Sequence, residues 1–341
     1  MHKDLPAPPG NKTGWPWTSD LIVNTDYSTV KNWPKISVVI PTYNHARYLE
    51  QTIRSVLLQR YPNTELIVID GGSTDSSVDI IHKYEDFLTY WVSEKDRGQS
   101  HAINKGMLHA NGSILAYINS DDFYLPDAFF TVAKYHLNNQ DTDLIYGICS
   151  IINESGHETD QMQGDLSNLY EIINLWDVWW NKKNYVQPEV FWTRQATLKT
   201  GSFREELHYV MDYDYWLRIF MAGGKAGKID KPLSAFRITP EQKSRQSLSV
   251  AVEILDVVKP VLWNNNIPIP FWYRVKLQSK WLYQHYFMSD VEKSLSAGES
   301  KRVRWLRLLL VIARHPKILV NSSFWRRFKS IFHKSISVIN K

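Results

Sequence analysis

The sequence has one cysteine, Cys149, in 341 residues. No disulfide can form within the chain, and a reducing site of folding is expected. Long apolar runs are also missing. No stretch reaches the ~18–20 residues needed to span a bilayer. The nearest, Leu306 to Ala313, contains Arg307 and is flanked by Arg304 and Arg314. Met1 to Gly14 lacks an apolar core, so no secretory leader is expected. Neither Gly-x-Gly-x-x-Gly nor Gly-x-x-x-x-Gly-Lys-Ser/Thr occurs, so the dinucleotide fingerprint and the P-loop are both absent. There is no internal repeat.

Acidic residues are missing from one region only. Residues 301–341 hold eleven of the 40 Lys and Arg and none of the 35 Asp and Glu. The net charge of +5 is therefore a property of the tail, and the preceding residues carry a net −6. A nucleic-acid binder is not expected from such a body. The 14 Trp and 18 Tyr suit stacking on sugars and suit core packing equally.

Residues 1–34 are rich in Pro and Trp and read as an extended arm laid on the domain. From Ile36 the chain alternates strand and helix. Ile36 to Ile40, Glu65 to Ile69, Leu88 to Val92 and Ser113 to Ile118 read as strands. Helical patterns lie between them, the first with Asn44 as its expected N-cap. Asp143 to Ile151 reads as a later strand and Tyr209 to Met221 as a helix. The expected class is α/β, with a mainly parallel central sheet flanked by helices and right-handed crossovers. The expected organisation is an arm (1–34), a catalytic-type domain (35–245) divided near 125, and a helical, basic amphipathic region (246–341).

Open α/β sheets bind ligands beyond the carboxyl ends of their strands. Chemistry-bearing residues follow each strand here. After the first, Pro41, Thr42, Tyr43 and Asn44 can hold a planar base by main-chain hydrogen bonds. After the second, Asp70 can accept an N–H from uracil or guanine, and Gly71 lets backbone approach closely. Asp75 reads more simply as a helix cap. After the third, Arg97 can grip a phosphate or base edge in bidentate fashion. His101 reads as a helix-face residue.

After the fourth strand stand Asp121 and Asp122. Adjacent carboxylates at such a place repel and lose solvation unless a cation compensates them. Asp121 is assigned to ribose hydroxyls and Asp122 to a divalent metal, Mn2+ or Mg2+, that carries phosphate oxygens. A solvated, helix-capping turn is the plain alternative. In the Tyr209–Met221 helix, Asp212 and Asp214 point about 200° apart, so only one can face a site. Trp176, Trp179 and Trp180, at helical spacing, either border an acceptor site or pack in the core. Gln187 is grouped with them as an acceptor contact.

These segments together resemble glycosyltransferase family 2, with its GT-A fold. The resemblance rests on residues 37–44 (Ser-Val-Val-Ile-Pro-Thr-Tyr-Asn), 69–75 (Ile-Asp-Gly-Gly-Ser-Thr-Asp) and 93–106, and continues through 119–122 (Asn-Ser-Asp-Asp), 187–192 and 211–218. It implies an inverting transferase that uses a nucleotide-diphosphate sugar, a UDP-sugar here, and a divalent metal. It implies that Asp70 reads the base, that Asp121 and Asp122 form the Asp-x-Asp-type site, and that Asp212 is the catalytic base. Met211 replaces a Glu of the family signature, Asn119 a frequent Asp, and His101 another. Processive synthesis is not expected, because Gln242-Lys-Ser-Arg245 is followed by Gln246 rather than Trp. The acceptor is expected to be a saccharide or lipid-linked molecule in surface polysaccharide or glycolipid synthesis. A catalytically inactive sugar-binding relative is the alternative. The tail at 301–341 either lies on an anionic membrane or packs as a helix. The expected location is cytoplasmic, peripheral on the inner membrane.

Overall fold

The computed structural model describes residues 5–18, 32–240, 242, 247–288 and 301–326. They fall into two compact units, Met1–Val250 and Ala251–Lys341. The last three residues of Gln242-Lys-Ser-Arg245, and the tail beyond 326, lie outside the described residues.

The first unit opens with strand β1 (Ile36–Thr42), helix α1 (Ala46–Leu57), β2 (Thr64–Asp70), α2 (Ser77–Tyr84), β3 (Tyr90–Ser93), α3 (Gln99–His109) and β4 (Ile114–Tyr117). All seven residues of β1 are buried, which is what a near-continuous apolar run requires of a strand covered on both faces. These four strands pair in parallel in the order β3–β2–β1–β4. Their register sets Thr42 beside Asp70 and Asp70 beside Ser93, so the strand ends form one row. α1 buries Leu49, Ile53 and Val56 on one stripe against that sheet.

The unit continues with β5 (Phe123–Tyr124), α4 (Ala128–Asn138), β6 (Leu144–Ile152), β7 (Glu158–Gln163), α5 (Leu169–Ile172), β8 (Val190–Thr193), α6 (Arg194–Thr200), α7 (Met211–Met221) and β9 (Ala226–Arg237). The sheet extends from β4 through β8, β6 and β9 to β5, with β7 also on β6. Here the pairing is mixed. β8 is antiparallel to both β4 and β6, whereas β9 runs parallel to β6. Antiparallel β8 is what ends the parallel half.

Asn44 is not the cap of α1. Its backbone takes φ +53, and its Oδ1 accepts from the Thr74 N–H instead. Asp75 serves both helices, accepting from Ala46 N–H at 3.0 Å and Ser77 N–H at 2.9 Å. One carboxylate at two helix starts satisfies orphan donors of each. The described part of the N-terminal arm is held by buried Arg54. Its guanidinium donates to the carbonyls of Pro6, Pro16 and Trp17, while Trp15 Nε1 donates to the Tyr124 carbonyl.

In the second unit, α8 (Ser247–Trp263) leads into α9 (Phe271–Leu282) and α10 (Lys301–Arg314). Buried Arg274 donates to the carbonyls of Leu262, Asn264 and Ile267, which closes the end of α8. No helix among the described residues is long and apolar enough to cross a membrane.

Gly106 of α3 faces β1 so closely that an added Cβ would lie 2.4 Å from Val39 Cγ1. Gly106→Ala gains roughly 1 kcal/mol of helix propensity but overpacks the core at a cost of about 1–3 kcal/mol. A lower urea midpoint is expected, partly restored by adding Val39→Ala. Equal loss in the single and double variants would refute this contact.

Candidate active site

Three turns meet at the row of strand ends. Gly71 N–H donates to the Thr42 carbonyl at 2.9 Å, and Asn44 N–H to Ser73 Oγ at 2.7 Å. Asp70 lies beneath them, fully buried. It accepts from Gly72 N–H, Ser73 N–H, Ser73 Oγ and Ser93 Oγ at 2.5–3.0 Å. Four donors match the roughly four lone-pair sites of a carboxylate, so Asp70 shapes the cradle. A Cβ on Gly71 would come within 2.6 Å of Asp96 Oδ2, so glycine lets that turn close on the third loop. Pro41 and Thr42 are buried, whereas Tyr43 is exposed on the rim.

Arg97 is already paired. Its Nε and Nη2 donate to Glu205 Oε2 at 3.1 and 2.6 Å, and Asn104 Nδ2 reaches Glu205 Oε1 at 3.3 Å. Glu205 belongs to the segment entering α7. The side chain expected to grip phosphate therefore links the third loop to the region of Asp212. His101 does face this loop, since its Nδ1 accepts from the Arg97 N–H at 3.3 Å.

The carboxylate pair follows β4. Asp121 is 9% exposed and Asp122 is 0% exposed. Asp122 Oδ1 accepts the Arg237 N–H at 2.8 Å, and its carbonyl accepts from Thr52 Oγ1 at 2.6 Å. Arg237 Nε donates to the Asp121 carbonyl at 3.0 Å. The rest of the guanidinium donates to the carbonyls of Asn153 and Glu154 and to Gln51 Oε1, over the Tyr48 ring. His45 Nδ1 and Ser120 Oγ are 2.8 Å apart. Burial pushes the Asp122 carboxyl well above the usual range, and the Asp121 charge adds to this. Burial also raises Asp121, against the pull of His45 and Arg237. The pair thus occupies a place where a second cation is welcome. Of the two, Asp122 is fully buried and accepts the Arg237 N–H, and Asp121 retains slight exposure.

Asp212 and Asp214 diverge as their spacing requires. Asp214 is buried in an ion pair with Arg218 at 2.8 Å and Arg204 at 3.2 Å. Asp212 sits half-buried in the first turn of α7, its Oδ1 accepting the Tyr213 N–H. Tyr117, at the end of β4, connects the two carboxylate regions. Burial raises its hydroxyl far above the ordinary tyrosine value, and the charges of Asp212 and Asp122 raise it further. Gln187 Nε2 donates to the Tyr117 carbonyl at 2.7 Å. Gln187 Oε1 is buried with no hydrogen-bond partner among the described residues.

The three tryptophans do not share a helix. Trp179 begins a 3₁₀ turn, Trp179–Asn181, and packs edge-on against Tyr213 with centroids 5.1 Å apart. Trp176 and Trp180 lie against each other at 5.9 Å. The segment still reaches α7 beside Asp212. Sequence reasoning missed Arg237, His45 and Tyr117. The signal for Arg237 was a lone cation in Ser234-Ala235-Phe236-Arg237-Ile238, a run otherwise fit for a buried strand.

A parallel half-sheet with a cradle at its strand ends, joined to a mixed half that carries a second acidic region, is the layout of a GT-A transferase domain. Residues 37–204 match Glycosyl transferase family 2. The chain belongs to glycosyltransferase family 2. An uncharacterized glycosyltransferase of Rickettsia conorii is 30% identical over 236 residues, 67% of this chain and 37% of that protein. One from Methanocaldococcus jannaschii is 27% identical over 210 residues, 60% of this chain and 71% of its own. The match spans only 37% to 59% of the R. conorii, R. prowazekii and R. typhi relatives. Among solved structures, S. aureus TarS 1-349 in complex with UDP-GlcNAc superimposes with a TM-score of 0.58 at 17% identity, covering 79% of this chain and 77% of that one. The mannosyltransferase PcManGT from Pyrobaculum calidifontis, in complex with GDP-Man and Mn2+, gives 0.56 at 17%, covering 88% and 84%. These two likenesses establish a common fold.

Two outcomes test this electrostatic arrangement. Arg237→Met leaves the carboxylate pair without its buried cation and is expected to cost about 3–5 kcal/mol in urea unfolding. A loss under ~1 kcal/mol, the range of a surface pair, would deny Arg237 that role. Glu189, beside Gln187, is buried and pushed well above the usual carboxylate range by that burial, against hydrogen bonds from Val186 and Gly164. Its favoured protonated form supports the fold fully below the unfolded carboxylate range. That support is lost as pH rises through the raised value. The melting temperature of wild type should therefore fall, relative to Glu189→Gln, as pH rises above the ordinary carboxylate range. A constant difference across pH would refute a neutral Glu189.

Proposed function

We propose that this chain transfers a sugar, with inversion, from a nucleotide-diphosphate sugar to a hydroxyl of a saccharide or lipid-linked acceptor. The observation that carries the reading is the buried Asp121–Asp122 pair at the end of the parallel half-sheet, with the half-buried Asp212 in the first turn of α7. The donor is a UDP-sugar, its base against Pro41–Asn44 and the Asp70–Gly71 turn, its ribose and diphosphate toward Asp121. TarS with UDP-GlcNAc supports this choice. Arg97 contributes to diphosphate binding by leaving Glu205.

No group of three or more His, Cys, Asp or Glu able to hold a metal occurs among the described residues. The residues still fit a divalent cation bound mainly through the donor, because Mg2+ or Mn2+ commonly takes one or two carboxylates plus phosphate oxygens and waters. Asp121 is the direct ligand in this reading and Asp122 its support; PcManGT with Mn2+ is a precedent in the fold. The cation, when bound, supplies positive charge to the departing diphosphate.

The acceptor oxygen attacks the anomeric carbon as the bond from that carbon to the diphosphate oxygen breaks. Asp212 takes the acceptor proton. Trp176, Trp179, Trp180 and Gln187 border the acceptor, with Gln187 Oε1 available to receive a hydroxyl. Positioning and electrostatics do most of the work. The product belongs to surface polysaccharide or glycolipid synthesis at the cytoplasmic face of a membrane.

Transfer assays over a panel of UDP-, GDP- and dTDP-sugars with Mn2+ or Mg2+ test the reading. Asp212→Asn should keep donor affinity and lose turnover by roughly 10²–10⁴-fold. Asp121→Asn should weaken nucleotide binding only when the metal is present. Donor binding by wild type without hydrolysis or transfer would indicate an inactive relative. Full loss with Asp214→Asn in a stably folded variant would displace Asp212 as the base.

A further inference from the structure

Surface helices ordinarily turn their apolar stripe toward the core. α10 does the opposite with much of its apolar surface. Val303, Leu306, Leu309 and Leu310 are 40%, 62%, 53% and 53% exposed, while the face turned inward carries Val311. On a helix these four positions form one stripe about 120° wide. The exposed apolar surface continues past the helix at Leu319, Val320 and Trp325, while Ile318 and Phe324 are buried. Arg307 and Arg314 are exposed and adjoin one edge of the stripe.

We infer that this stripe docks on an anionic lipid bilayer. Charge selects the occupant. Residues 301–341 carry eleven Lys and Arg and no carboxylate, so pairing α10 with a second copy of itself would set cation against cation. An anionic headgroup layer complements that charge, and a fluid acyl boundary accepts a straight aliphatic stripe without a shaped pocket. The helix lies in the interface plane, since it is too short to span. The attachment goes beyond the transfer reaction and stands or falls separately from it. Its use is to keep the chain beside lipid-linked molecules.

Co-sedimentation of the full chain with vesicles decides the matter. Vesicles of equal parts phosphatidylcholine and phosphatidylglycerol should carry it down, and phosphatidylcholine alone should not. High salt should weaken the binding. Removing one cation lowers the partition coefficient about five-fold, so Arg307→Gln with Arg314→Gln should lower it about 25-fold. Leu306→Asp with Leu310→Asp should abolish binding. Both pairs sit at exposed positions and should leave melting temperature and nucleotide binding unchanged. Equal binding to the two vesicle types, or undiminished binding by Leu306→Asp with Leu310→Asp, would overturn the inference. So would wild-type self-association that this double variant abolishes, with no vesicle binding.

Discussion

Two adjacent carboxylates, Asp121 and Asp122, are held where water has been largely removed, and they share one buried cation. Isolated, such a pair would protonate or unfold its surroundings. Arg237 offsets part of this through its nearby charge, with its backbone N–H on Asp122, its Nε on the Asp121 carbonyl and further donors on the 153–154 turn. Much of the first unit is arranged to bring that residue there. β9 runs parallel to β6 with Arg237 opposite Ile152, and antiparallel to β5 with Ala235 opposite Phe123. A register slip of one residue would turn Arg237 to the other face of the sheet.

The two halves of the sheet divide the work accordingly. The parallel half aligns Thr42, Asp70 and Ser93, whose turns are knitted by hydrogen bonds among Asn44, Ser73 and Thr74. A cradle made of backbone and short side chains loses little entropy on binding a flat ligand. The mixed half supplies α7. Helix phase puts Asp214 into an ion pair with Arg204 and Arg218, which anchors the helix and leaves Asp212 on the other side. One carboxylate stabilises the fold, and its neighbour is left half-buried. A hydrogen bond from Gln187 Nε2 to the Tyr117 carbonyl, at the end of β4, ties the halves together.

Charge and hydrophobicity are separated along the chain on a larger scale. The first unit is acidic and holds the candidate site, and the carboxylate-free tail is basic, with a helix that turns leucines outward. A helix that buried all its leucines would have a packing role only. The outward stripe is the observation on which the inferred bilayer docking rests.

Strand and helix order and the positions of the acidic motifs were legible in the sequence, because apolar periodicity and turn chemistry act over a few residues. The opposed facing of Asp212 and Asp214 followed from helix geometry alone. Other features depended on partners distant in sequence. Asn44 yielded its expected cap to Asp75, twenty-nine residues from Ala46. Arg97 found Glu205 across 108 positions. The tryptophans do not share a helix: Trp179 begins a 3₁₀ turn and packs against Tyr213. Arg237 lies 115 residues from Asp122. No local pattern announces that a lone arginine in an apolar run will balance two buried carboxylates. Sequence by itself determined which residues could carry chemistry. Tertiary structure decided which carboxylate braces and which stays accessible, because burial and charge pairing arise only when distant strands are brought into register.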